Sequence, residues 1–257
     1  MKKLMIAAAA MAAGVAMAAT EEVTQISSAN VVGYTTRDVE ADTYVMVGCP
    51  FEKVTGGDLH INDFIKGGDA NLYPDFQEDY FAEIQVQNGG SYDYYWLEWD
   101  GEDEDKPYFF WNGVAGEADF TVKPGFCCWF RNPHACTITV AGQVTDTTKD
   151  SITVDADTYT MVANPFPEAV ELNGEKVICS GLSANLYPDF QEEFYAEIQI
   201  LNADGGYDYY WLEWDGEDED DPFFFWNGVA GEAEVTIPPM SGFWLRDPKG
   251  GTIKFAL

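Results

Sequence analysis

The fold is decided by Tyr92–Ala118, YDYYWLEWDGEDEDKPYFFWNGVAGEA, which returns as Tyr207–Ala233, YDYYWLEWDGEDEDDPFFFWNGVAGEA. Each copy alternates aromatic side chains with period two, crosses an acidic segment, resumes with a second aromatic run and leaves through glycines. Period-two runs bounded by turn residues are the pattern of a β-hairpin. A recurrence this long is an internal repeat, and it governs how every other pattern is read.

Correspondence continues on both sides of the hairpin. Upstream, Ala82-Glu83-Ile84-Gln85-Val86 recurs as Ala196-Glu197-Ile198-Gln199-Ile200, and Ala70–Glu78 recurs as Ala184–Glu192. Asn88-Gly89-Gly90 and Asp204-Gly205-Gly206 read as tight turns, where glycine supplies positive φ without steric cost. Further upstream, Ala41-Asp42-Thr43-Tyr44 matches Ala156-Asp157-Thr158-Tyr159, and Pro50-Phe51 matches Pro165-Phe166. Downstream, Phe126–Phe130 and Thr137–Val140 answer to Phe243–Leu245 and Thr252–Phe255. Leu59–Ile65 and Leu172–Ile178 differ between the halves and read equally as short helix or strand. Each copy then holds about eight strands in about 110 residues, which favours a sandwich or barrel. The expected fold class is all-β, a tandem duplication of an antiparallel β-sandwich module, with repeats over residues 31–144 and 145–257. One continuous sheet shared by both halves is the alternative.

Ahead of the repeats, Lys2 and Lys3 precede the apolar stretch Leu4–Val15 and the small-x-small pattern Ala16-Met17-Ala18. That order predicts a signal peptide over residues 1–18 and export to the envelope or exterior, with 19–30 as a flexible leader. No later run reaches the roughly 18 apolar residues of a membrane-spanning helix. The chain carries 45 acidic against 13 Lys+Arg residues, a formal net charge of −32, which excludes nucleic acid as a partner because phosphates require cationic neutralisation. Cations, neutral sugars and basic partners remain.

The segment Ser28-Ala29-Asn30-Val31-Val32-Gly33-Tyr34 behind a signal peptide resembles uncharacterised exported bacterial β-repeat proteins. Glu83–Val86 and Pro239-Met240-Ser241-Gly242-Phe243-Trp244 share that resemblance. It implies an envelope or extracellular product and carries no active site to transfer.

Three constellations could carry chemistry. Asp100, Glu102, Asp103, Glu104 and Asp105 crowd one hairpin tip, and Asp215, Glu217, Asp218, Glu219 and Asp220 crowd the other. Clustered carboxylate oxygens suit calcium, and bound cations would relieve their repulsion, although the spacing is not that of an EF-hand. The plain alternative is a solvated tip that discourages edge association. In the aromatic strand, Tyr92, Tyr94 and Trp96 share one face, and Tyr95, Leu97 and Trp99 the other. A sandwich buries one face, so the second is available for sugar stacking or for contact between copies or molecules. Tyr94, Trp96, Trp99 and Trp111, with Tyr209, Trp211, Trp214 and Trp226, are the expected ligand or interface residues. Cys128 and Cys136 would face one another across a turn at Asn132, which predicts a disulfide in an exported chain. His60 and His134 are the only histidines, and no nucleophile, zinc-protease or phosphate-loop pattern occurs. The expectation is a non-catalytic structural or adhesive protein that self-assembles and binds calcium. The alternatives are a carbohydrate-binding module and, behind it, a carboxylate-dependent glycoside hydrolase.

Overall fold

The computed structural model describes residues 32–66, 81–100, 108–114, 116–144, 151–186, 195–215 and 223–256. The expected signal peptide and leader lie outside them. So do Glu102, Asp103, Glu104, Asp105, Glu217, Asp218, Glu219 and Asp220 of the acidic tips.

The described chain is all-β, built of several antiparallel sheets. The first half runs β1 (Val32–Val39), β2 (Val45–Gly48), β3 (Leu59–His60), one helical turn α1 (Ile61–Phe64), β4 (Glu83–Asn88) and β5 (Ser91–Asp100). It continues with β6 (Tyr108–Gly113), β7 (Gly116–Glu117), β8 (Thr121–Val122), β9 (Cys127–Arg131) and β10 (Cys136–Gln143). The second half opens with β11 (Ser151–Val154), β12 (Thr160–Ala163), β13 (Val170–Glu171), β14 (Val177–Gly181), β15 (Asn185–Leu186) and β16 (Glu197–Leu201). It closes with β17 (Tyr207–Asp215), β18 (Phe223–Gly228), β19 (Gly231–Glu232), β20 (Thr236–Ile237), β21 (Gly242–Arg246) and β22 (Gly251–Phe255).

The main sheet of the first half has the order β2-β9-β4-β5-β6-β7, and that of the second β12-β21-β16-β17-β18-β19. Smaller sheets, β1-β10 and β3-β8 in one half, β11-β22-β14 and β13-β20 in the other, complete a β-sandwich-like arrangement. Every ladder pairs strands of the same half, so the shared continuous sheet is not found among the described residues. The ambiguous Leu59–Ile65 is both things in turn: two strand residues, then the turn α1, whose first residues His60 caps by accepting a bond from Asn62 N–H.

Alternation sorts the main sheets into two faces. In the first half Ile84, Leu97, Trp111, Phe130 and Val47 point inward and pack on Val39, Ile138 and Val140 from β1 and β10. Ile198, Leu212, Trp226, Leu245 and Val162 do the same against Val154, Ile253 and Phe255. Burying each such side chain contributes about 1.5–3 kcal/mol. Opposite the inward Tyr95 stands Gly113, and a side chain there would strike the Tyr95 ring at 2.9 Å. Tyr210 lies over Gly228 in the same way.

Two expectations fail here. Trp111 and Trp226 are fully buried core residues rather than ligand platforms, because strand parity places them with Leu97 and Leu212. Cys128 and Cys136 do not form a disulfide, nor does any other cysteine pair. The presumed hairpin between them does not exist, since β9 pairs with β2 and β4 while β10 pairs with β1.

Candidate functional site

Outward-facing positions of the main sheets build the same array twice. Cross-strand neighbours in the first half are Met46, Trp129, Gln85 and Tyr94 in one row, and Arg131, Glu83, Trp96 and Asn112 in the next. The second half repeats them as Met161, Trp244, Gln199 and Tyr209, then Arg246, Glu197, Trp211 and Asn227. Directly opposed side chains lie about 4.5–5.5 Å apart at Cβ, so each row is a contiguous strip.

Hydrogen bonds fix the strips. Glu83 accepts from the Tyr44 hydroxyl at 2.9 Å and from the Gln85 amide at 2.5 Å. Glu197 accepts from the Tyr159 hydroxyl at 2.8 Å and from the Gln199 amide at 2.5 Å. Arg131 pairs with Asp42 at 2.6 Å and lies over the Tyr44 ring; Arg246 pairs with Asp157 and lies over the Tyr159 ring. Asp42 and Asp157 reach these arginines from left-handed turns with φ of 54° and 57°, a conformation that aspartate tolerates better than most residues. The indole of Trp96 donates to Glu98 and that of Trp211 to Glu213, both at 2.8 Å. Partial burial, then the Glu197 carboxylate, push the Tyr159 hydroxyl up to about 12. Tyr44 is raised by burial and Glu83 in the same sense. Both hydroxyls therefore remain protonated donors to Glu83 and Glu197.

The aromatic positions differ in exposure. Tyr94 and Tyr209 are 50% and 51% exposed, and Trp96 and Trp211 beside them are half-buried. Trp214 does not belong to this face. Its parity is that of Leu212, and it stacks on Phe224 with ring centroids 6.5 Å apart; the side chain of Trp99 lies outside the described residues. The acidic tips contribute only Asp100 and Asp215 to the described strands, opposite Tyr108 and Phe223. Among the described residues no group of three or more His, Cys, Asp or Glu is placed to hold a metal ion. His60 sits 3.4 Å from Asp119 at the surface, away from either strip.

One edge of each strip meets the other half. Met46, Cys127, Met161 and Ala163 form a buried cluster on which Tyr92, Trp129 and Trp244 pack, the two indoles 6.4 Å apart. Gln87 ties the halves by accepting from Met161 N–H at 2.8 Å and donating to the Tyr159 carbonyl. Beside this contact runs a cleft of about 440 Å³ lined by Gln87, Tyr92, Tyr159, Gln199, Tyr207 and Trp244. The spare face is thus partly a contact between halves and partly open. Of the aromatic residues singled out in the sequence, Tyr94, Trp96, Tyr209 and Trp211 lie on this outer face; Glu83, Gln85 and Arg131 with their counterparts, which lie beside them, were not singled out. Their recurrence at matching polar positions of the two strands was the available signal. Among the described residues no helix is long and apolar enough to cross a membrane. No protein-family model, curated protein or solved structure matches the chain.

Proposed function

We propose that the protein is an exported, non-catalytic adhesive module pair that holds a neutral glycan on its outer sheet faces. The observation that carries this reading is the doubled strip itself: an open tyrosine and a half-buried tryptophan beside a carboxylate, an amide and a guanidinium already held in place. The apolar face of a pyranose ring packs on an aromatic ring, and its equatorial hydroxyls need donors and acceptors at the rim. Side chains fixed by mutual hydrogen bonds lose little further freedom when a ligand docks, which favours binding. The cleft between the halves lies within the size range of small-ligand sites, about 300–1,000 Å³. It extends the contact surface from one strip towards the other.

The tandem β-sandwich duplication belongs to this proposal and is supported by the matching strand orders. Calcium at Asp100–Asp105 and Asp215–Asp220 also belongs to it, resting on carboxylate density alone. Self-assembly has one observation behind it: among the described residues β1 pairs only with β10, and it exposes Val32 and Tyr34, as an edge open to strand addition would.

Affinity electrophoresis through gels containing neutral glucans, mannans, xylans or galactans tests the glycan reading. The mature chain should be retarded by at least one polymer, and the Tyr94→Ala/Tyr209→Ala variant should run freely through it. Equal mobility of both proteins in every gel would remove the proposal.

A further inference from the structure

Where the halves meet, residues at the same place in the two repeats face one another. Met46 and Met161 share one buried cluster, the rings of Trp129 and Trp244 touch, and Tyr92 and Tyr207 line one cleft. The backbone bonds are reciprocal as well. Gly48 N–H donates to the Met240 carbonyl at 3.0 Å, and Ala163 N–H donates to the Gly125 carbonyl at 3.1 Å. Gly48 and Ala163 end equivalent strands, opposite Cys127 and Gly242 respectively. Gly125 and Met240 occupy equivalent turns, both at positive φ, 87° and 58°. Contacts of a residue with its own equivalent occur near the axis of an isologous, two-fold interface.

The equivalents match in place but not in size. A Cβ on Gly48 would overlap the Ala163 methyl, and its next neighbours, Ser241 O at 3.5 Å and Ala163 Cα at 3.6 Å, also belong to the second half. A Cβ on Gly242 would overlap Cys127 Sγ and crowd Met46 Cβ at 3.3 Å, both of the first half, and would stand 3.1 Å from the Val162 carbonyl of its own half. Neither glycine has a left-handed φ, and each stands at the end of a strand, Gly48 closing β2 and Gly242 opening β21. Their backbones do not require glycine; the opposite half does. Met240 is also inserted in the core cluster of the first half, while Gly125, its equivalent, leaves room for Ile152, whose Cδ1 would stand 3.0 Å from an added Cβ. Arg37, opposite Ile138 as Ile152 is opposite Ile253, donates to the Met240 carbonyl at 2.6 Å and to the Met46 carbonyl.

We propose that this seam is a two-fold docking surface made specific for unlike halves, with Gly48/Ala163 and Cys127/Gly242 as the determinants. Each side chain fills the space its partner's glycine leaves. Two first halves would set Cys127 against Cys127, and two second halves Ala163 against Ala163, so each like pairing contains an overlap. Steric rejection of the wrong partner is how closely related surfaces sort. The partner that fits each half is the other half, and the seam holds the two outer strips in one fixed relation. The inference rests on the seam alone and stands whether or not the strips bind glycan.

A double-mutant cycle on the full chain, followed by calorimetric melting, tests it. The wild type should melt in one transition. Gly48→Ala should lower the melting temperature and split the transition as the halves uncouple, and Gly48→Ala/Ala163→Gly should restore a single transition by exchanging methyl for hydrogen across the axis. Gly242→Ala and Gly242→Ala/Cys127→Ala form a second, independent pair with the same expected rescue. Additive effects in both cycles, with no rescue, would overturn the proposal, as would unchanged melting in both glycine variants. Failure of the Gly48 variants to fold leaves the Gly242 pair to decide.

Discussion

Trp111 and Trp226 occupy the same place in the two hairpins and are equally buried, yet their indole N–H groups fare differently. Trp111 donates to the Ile65 carbonyl at 2.8 Å, an acceptor supplied by the end of α1. Among the described residues the second half has no such helical turn; Trp226 N–H faces the sulfur of Cys179, a weak acceptor, and makes no hydrogen bond of normal geometry. Trp111→Phe therefore removes a real bond and strands a buried carbonyl. It should cost about 1–3 kcal/mol more than Trp226→Phe by urea unfolding. Equal losses would contradict the assignment. The cysteines give a second prediction at this scale. Burial pushes Cys49 and Cys127 up to about 12 from an ordinary 9.0. The folded state thus holds protons that the unfolded chain releases above pH 9. Their contribution to stability is complete below pH 9 and is lost as pH rises from 9 towards 12. Urea midpoints should fall across that window. At pH 8 a thiol reagent should label none of the five cysteines until the chain unfolds.

Between the hairpin and its neighbours, the open tyrosines stand half in solvent and the sheet should hold without them. Tyr94→Ala and Tyr209→Ala remove half-exposed rings from a formed sheet, so each should change stability by less than about 0.5 kcal/mol while abolishing glycan retardation. A matching fall in melting temperature would make these residues structural instead. The hairpins were legible because Tyr92–Trp99 carries its period in the open and Gly89 and Gly205 mark the turns. Which strand joins which was not. Cys128 and Cys136 are close in sequence, but β9 pairs with β2 and β4, Val47 standing opposite Cys128 and Ile84 opposite Phe130, while β10 pairs with β1, Val39 standing opposite Cys136. That choice is made by packing across the core and leaves no local trace. The same holds for Trp111 and Trp226, whose rings read as surface aromatics until register with Leu97 and Leu212 assigns their face.

Across the molecule, the two halves share strand order, outer strips and turn geometry, and they meet through residues that face their own equivalents. The seam was illegible in sequence because Gly48 and Gly242 look like ordinary strand glycines, and only the opposite half explains them. It consumes Trp129, Trp244 and Tyr92 but leaves Tyr94 and Trp96, and Tyr209 and Trp211, as two outward aromatic pairs in one chain. Loading the acidic tips with calcium should raise the melting temperature if those carboxylates bind it, since a ligand confined to the native state stabilises that state. No shift at millimolar calcium would dismiss the ion. The most direct measurement is isothermal titration of the mature chain with oligosaccharides cut from whichever neutral polymer retards it in a gel. The structure predicts two equivalent sites per chain, reduced to one by Trp96→Ala or by Trp211→Ala and to none by both. Heat that survives the double substitution, or no heat with any neutral oligosaccharide, would contradict it.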